Sequence, residues 1–341
     1  MDAMDGLPPG EFDLIARLTR QLPARPDVSL GVGDDCAILD LHGVDTLATC
    51  DSQVEGVHFT LAFSSPEQIG RKALAVNLSD IAAMGGEPRY ALVSLILPPR
   101  LSLATLDGIY AGLRQEAERY ATAIVGGNIA SSEQALILDI TLLGAVERGR
   151  ALTRSGARAG DSVLITGSLG NAAAGLHTLL QPAMPYAPAA QEVVRQAYRV
   201  PQPRVREGRA LSRFGPGIVT ALLDISDGLS GDLGHLCERS NVGVCVDLAR
   251  LPLSQSLHSI AASVARDPYA WALHGGEDYE LLFTVPPASE QAVIDAVQSA
   301  TGTPVTPIGV VLPPEEGMRL LRPDGREEPL VVQSWDHLKP A

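Results

Sequence analysis

At 341 residues the chain has room for a large core and for two domains. Its net charge of −14 argues against a surface built for nucleic acid or an anionic membrane, but not against phosphorylated substrates met through bound cations. No apolar run reaches the roughly 18 residues of a spanning helix. Met1 to Gly10 lacks a basic stretch followed by an apolar one, so no secretory signal is expected. Cys36, Cys50, Cys237 and Cys245 show no close metal-type spacing and read as reduced thiols of a cytoplasmic protein.

In chain order, Glu11 to Leu22 reads as a helix, with Leu14, Leu18 and Leu22 spaced by four. Val28 to Leu41 and Thr46 to Thr49 read as strands around a Gly-Asp-Asp turn. Pro66 to Ala83 is a helix ended by Gly85 and Gly86, and Ala91 to Leu97 is a strand stopped by Pro98-Pro99. A helix from Leu103 to Tyr120 and strands at Ala121–Val125 and Leu136–Leu143 complete an α/β pattern. A boundary falls near residues 147–158, dividing the chain into domains 1–148 and 149–341. Beyond it, Ser162 to Ile165 is a strand feeding Thr166-Gly167-Ser168-Leu169-Gly170 and a small-residue helix whose amides suit a phosphate. Pro182 to Pro188 reads as a linker or exposed loop. Arg204–Phe214 and Leu229–Glu238 read as helices, and Ile308–Leu312 and Met318–Leu321 as strands.

The chemistry lies in acids that recur beside small residues. They stand in Gly31-Val32-Gly33-Asp34-Asp35, Cys50-Asp51, Asn77-Leu78-Ser79-Asp80, Asp224-Ile225-Ser226-Asp227-Gly228 and Gly275-Gly276-Glu277-Asp278-Tyr279-Glu280. Divalent hard cations take oxygen ligands, and Mg²⁺ commonly joins one or two carboxylates to substrate phosphates. Any one segment also reads as a capped or solvated turn, and Asn77/Asp80 as part of an interdomain ion pair. His58, in Val54-Glu55-Gly56-Val57-His58-Phe59, reads by itself as a hydrogen-bonded structural residue. Gly126-Gly127-Asn128 is a strand-to-turn glycine segment, and neither it nor the 166–170 segment meets the Walker pattern. Together the acidic turns point to metal ions gathered around a polyphosphate.

On these blocks the chain resembles the bacterial thiamine-monophosphate kinases, of the superfamily that includes aminoimidazole ribonucleotide synthetase. The resemblance runs from Gly10-Glu11-Phe12 to Trp335-Asp336-His337; its most specific blocks are Asn77-Leu78-Ser79-Asp80 and Gly275-Gly276-Glu277-Asp278-Tyr279-Glu280-Leu281. It implies a two-domain α/β (α+β) fold whose N-terminal domain forms a homodimer across a β-barrel-like interface. It also implies ATP as donor, thiamine monophosphate as acceptor and several Mg²⁺ ions. Asp34, Asp35, Asp51, Asp80, Asp224 and Asp227 are the implied acidic metal positions, with Cys50 and Asn128 beside them. Asp34, Asp80, Asp227 and Lys72 are implied in catalysis, the lysine by neutralising phosphate. Gly127, Asn128, Arg154, Ser226 and Asp227 would hold the nucleotide, and His58, Asp51, Glu277 and Trp335 the acceptor. Asn128 and Asn171 stand where the family usually has aspartate, and Cys50 where threonine is common. Other activities of the superfamily and a catalytically silent binder of ATP and thiamine phosphate are the alternatives.

Overall fold

The computed structural model describes residues 28–30, 34–41 and 43–333. The expected helix at Glu11–Leu22, the segment Gly31-Val32-Gly33 and Trp335 lie outside the described residues. A six-stranded sheet comes first: β1 (Val28–Leu30), β2 (Ala37–Leu41), β3 (Val44–Val54), β4 (Glu87–Leu97), β5 (Ala123–Ser131) and β6 (Ile137–Val146). Its order is β1-β2-β3-β6-β4-β5, antiparallel except for the parallel β4–β5 pair. Strand alternation turns Leu138, Ile140 and Leu142 of β6 inward to full burial.

Two helices cover that inner face, α1 (Pro66–Ala83) and α2 (Leu103–Arg119). A reciprocal capping box starts α1: Ser65 Oγ accepts from Gln68 N at 3.2 Å, and Gln68 Oε1 accepts from Ser65 N at 3.0 Å. The helices touch backbone to backbone, because a Cβ on Gly70 would lie 2.0 Å from the Ile109 carbonyl oxygen, and one on Gly112 1.9 Å from that of Glu67. Leu74, Leu78 and Ile81 are fully buried in a core that also takes Leu164, Leu222 and Phe283 from the second half of the chain. Thus α1 is the shared spine of both domains, which explains its apolar surface on nearly every side.

The second domain carries β7 (Ser162–Thr166), β8 (Ala221–Asp224), β9 (Gly243–Asp247), β10 (Leu281–Val285), β11 (Val305–Leu312), β12 (Met318–Leu321) and β13 (Glu327–Pro329). These form a seven-stranded sheet of order β13-β12-β9-β11-β7-β10-β8. Around it lie α3 (Asn171–Leu180), α4 (Pro188–Arg199), α5 (Val205–Ser212), α6 (Leu229–Ser240), α7 (Gln255–Ser263), α8 (Pro268–His274) and α9 (Glu290–Thr301).

Two expectations are corrected. Neither sheet closes into a barrel among the described residues: β1 and β5 end opposite edges of the six-stranded sheet and do not pair, so the β-barrel-like interface is not found. Gly126-Gly127-Asn128 is not a turn but the middle of β5, which runs on to Ser131. Glycine at 127 serves close approach, since a Cβ there would meet the Val93 carbonyl oxygen at 1.8 Å.

Candidate active site

A cleft of about 870 Å³ lies where the two domains meet. Its polar floor takes Asp51 from β3, Asp80 from α1, Asp224 from the end of β8, and Ser226, Asp227 and Glu277 from the turns beyond. Its apolar wall includes Phe59 and Phe63 from the loop after β3 and Leu176 and Leu180 from α3.

At one end three carboxylates converge. Oxygens of Asp35, Asp80 and Asp224 lie within 4.8 Å of one another, although the residues stand far apart in sequence. Asp80 also accepts from Thr49 Oγ1 at 2.5 Å, and Asp224 accepts from Ser79 Oγ across the domain junction. Burial, then Asp51 and Asp224, push the Asp80 carboxyl well above the usual range. Burial and Asp35 do the same to Asp224. Asp34 accepts from the Asp35 and Arg154 amides at 3.0 Å, but burial and the Asp35 charge raise it to about 7. Three acids crowded in a half-dry site hold their negative charge easily only beside a cation. The donors are all oxygen, which suits Mg²⁺ or a cation of similar hardness.

Arg154 spans the same junction. Its fork donates to both oxygens of Asp35, at 3.0 and 2.6 Å. Burial opposes the guanidinium's charge, yet Asp35 and Asp34 outweigh it and keep the group firmly protonated.

The three acids of the Gly-Gly-Glu-Asp-Tyr-Glu segment part company. Glu277 lines the cleft. Asp278 turns to the start of α3 and accepts from Gly170 N at 2.7 Å and Ala172 N at 3.4 Å. The sequence-based expectation that these amides receive a phosphate therefore fails: the chain's own carboxylate takes that place. Glu280 forms a two-pronged pair with Arg204, at 2.6 and 2.5 Å, and accepts from Thr166 Oγ1. Asn171 is held by Ser168 and Ser254 at the same helix start, outside the carboxylate cluster.

His58 lines the cleft, and its Nδ1 accepts from Val54 N at 3.0 Å, so a neutral ring carries its proton on Nε2. Lys72 lies behind the lining, its ammonium 2.5 Å from Glu277 Oε1. Cys50 is exposed on the other face of β3, with Sγ 3.0 Å from Asp139 Oδ1. Gly127 and Asn128 also stand away from the lining, on exposed β5. Sequence reasoning missed Tyr198 in the cleft, and it missed Thr49, Ser79 and buried Asp232, whose Oδ2 accepts from Asp227 N at 3.3 Å. The spacing of Ala190, Val194 and Tyr198 by four was the available signal for a helix bringing Tyr198 inward.

A family model described as AIR synthase related protein, N-terminal domain, matches residues 33–146, and the corresponding C-terminal domain model matches 158–319. The thiamine-monophosphate kinase of Bacillus subtilis is 37% identical over 331 residues, covering 96% of this chain and 99% of the relative. That of Escherichia coli K12 is 40% identical over 334 residues, covering 96% and 98%. Among solved structures, "AaThiL complexed with AMPPCP and TMP" aligns with a TM-score of 0.82 at 34% identity, covering 96% of this chain and 97% of that one. On this end-to-end agreement, the chain belongs to the thiamine-monophosphate kinase family.

Proposed function

We infer that this enzyme moves the γ-phosphoryl group of ATP to thiamine monophosphate, giving thiamine diphosphate and ADP. The observation that carries the reading is the meeting of Asp35, Asp80 and Asp224 at the end of a cleft with an apolar wall. The related structure holding AMPPCP and TMP supports the identity of the two substrates.

The acceptor's phosphate oxygen is already ionised near neutral pH, so the site needs no strong base. It forms a new bond to the γ-phosphorus while the bond from that phosphorus to the β,γ-bridging oxygen breaks, and ADP leaves with the electron pair. The barrier is the approach of one anion to another. Asp35, Asp80 and Asp224 would hold Mg²⁺, with Asp34, Asp51 and Asp227 around them. Bound there, the metal supplies charge neutralisation and alignment of the phosphates. The remaining assignments are Ser226, Arg154, Gly127 and Asn128 to the nucleotide, and His58, Asp51 and Glu277 to the acceptor. Phe59, Phe63, Leu176 and Leu180 give the acceptor's rings an apolar seat and exclude water from the transfer.

Self-association as a homodimer is part of the same reading. Val125 and Ile129 of edge strand β5 are 58% and 71% exposed, and Tyr90 and Leu92 of β4 are exposed too. Exposed apolar residues at this sheet edge fit a second copy of the chain. The four free cysteines support a reducing, cytoplasmic setting, and the −14 charge supports partners other than nucleic acid or membrane. No helix of the described residues is long and apolar enough to cross a membrane.

Phosphorus NMR of the reaction tests the activity. The γ signal of ATP should disappear as ADP and thiamine diphosphate rise in equal amounts. ADP without thiamine diphosphate would overturn the acceptor assignment.

A further inference from the structure

Lys72 stands on α1 two turns before Asp80, and its side chain is only 3% exposed. Its ammonium meets three separate segments. It lies 2.5 Å from Glu277 Oε1, donates to the His58 carbonyl at 3.1 Å and sits 4.1 Å from the centre of the Tyr198 ring. Carboxylate, carbonyl and π-face together occupy the donors of an ammonium. Lys72 is also not among the residues lining the cleft. A group so placed cannot easily turn to neutralise a phosphate, the role that its position beside Asp80 first suggests.

The groups it holds do line the cleft. Glu277 has φ +69°, a left-handed conformation that a non-glycine residue keeps only when its surroundings impose it, and its N–H donates to the Ser226 carbonyl at 2.7 Å. The loop after β3 is gripped twice by α4: the Tyr198 hydroxyl reaches the His58 carbonyl at 3.4 Å, and Arg199 Nε reaches the Phe63 carbonyl at 2.6 Å. Lys72 is thus the junction of a loop from the first domain, a helix from the second and the Glu277 turn.

We propose that Lys72 is a positioning residue for acceptor binding: its buried ammonium fastens Glu277 and the His58 loop against α4 and so shapes the wall that seats thiamine monophosphate. This rests on the kinase reading of the cleft. Lys72 acts through Glu277 and the loop, not on the transferred phosphate.

The test compares the wild-type chain with Lys72→Met, Lys72→Arg, Glu277→Gln and the Lys72→Met/Glu277→Gln pair, each checked for folding by thermal melting. Lys72→Met should raise KM for thiamine monophosphate roughly tenfold to a hundredfold, leaving KM for ATP within about twofold and kcat within about threefold. Lys72→Arg should recover part of that loss, and the double variant should be little worse than Lys72→Met alone. Hydrogen exchange should quicken in the loop 55–64 of Lys72→Met but not in the central strands β6 and β7. A fall in kcat with KM for the acceptor unchanged, full additivity with Glu277→Gln, or unaltered exchange in the loop would overturn the proposal. If Lys72→Met does not fold, Lys72→Arg and Glu277→Gln decide it by the same KM split and exchange pattern. Wild-type protein that does not phosphorylate thiamine monophosphate would sink the kinase reading, while the exchange experiment would still decide whether Lys72 holds the loop.

Discussion

Asp278 shows how little a residue's type says about its task. It sits one position from a cleft carboxylate, yet it turns its carboxyl oxygens to the first turn of α3. Burial raises its carboxyl to about 8, against the lowering effect of the two amides it binds. Its folded pKa therefore lies above its unfolded value, and the folded state holds this proton more tightly between the two. By linkage, stability falls as pH rises through about 4 to 8 and levels off beyond both values. Asparagine at this position has no such proton. The melting temperature of wild type should thus fall more steeply than that of Asp278→Asn between about pH 5 and about pH 8. Equal slopes would place Asp278 outside the linkage. Asn128 invites a second substitution: Asn128→Asp restores the usual acid of the family and should keep activity while lowering the Mg²⁺ concentration for half-maximal rate. A Mg²⁺ requirement that does not move would put residue 128 outside metal binding.

At the scale of elements, the contact of α1 and α2 depends on the absence of side chains. Gly112→Ala should gain about 1 kcal/mol of helix propensity. The new Cβ falls 1.9 Å from a backbone carbonyl oxygen of the opposite helix, however, so the pair must separate. Overpacking of this kind costs about 1–3 kcal/mol and wins or at least cancels the gain. Urea unfolding should show no gain in stability, and a more stable variant would contradict the packing.

Elements with strong punctuation were legible in the chain. The helix at Pro66–Ala83 coincides with its capping box, proline and terminal glycines, and Met318–Leu321 is the strand expected. What escaped was set by tertiary partners. Pro188 closes a proline-rich span that looks like a linker, yet it starts α4, because the span's end is a helix N-terminus where proline's fixed φ is suitable. The two glycines of β5 read as a turn, but they continue a strand, and at Gly127 the neighbouring strand passes so close that only glycine fits. The acids of the site were readable as types in glycine-rich turns. Their division into metal cluster, helix cap and ion pair was not, because it depends on which distant segment each one meets.

Over the whole molecule, the carboxylate cluster doubles as the seam between domains. Ser79 bonds Asp224, and Arg154 grips Asp35 from across the same junction. A cation bound there relieves the repulsion of the acids and ties both domains together. Mg²⁺ should accordingly raise the melting temperature of ligand-free protein, and EDTA should reverse the gain. Protons should also be released on binding, since Asp34 is raised to about 7 and Asp80 and Asp224 are raised too. Calorimetry in buffers of different ionisation enthalpy would detect them, and an absence of released protons would mean that the acids are already ionised in the metal-free protein.

The most direct measurement is thiamine diphosphate formation from ATP and thiamine monophosphate as Mg²⁺ is titrated, for wild type and for folded Asp80→Asn. The wild-type rate should vanish without metal and saturate with it. Asp80→Asn should be slower by on the order of 100-fold and need more Mg²⁺. Turnover without metal, or an Asp80→Asn enzyme with the wild-type rate and metal dependence, would contradict a transfer organised by the buried aspartates.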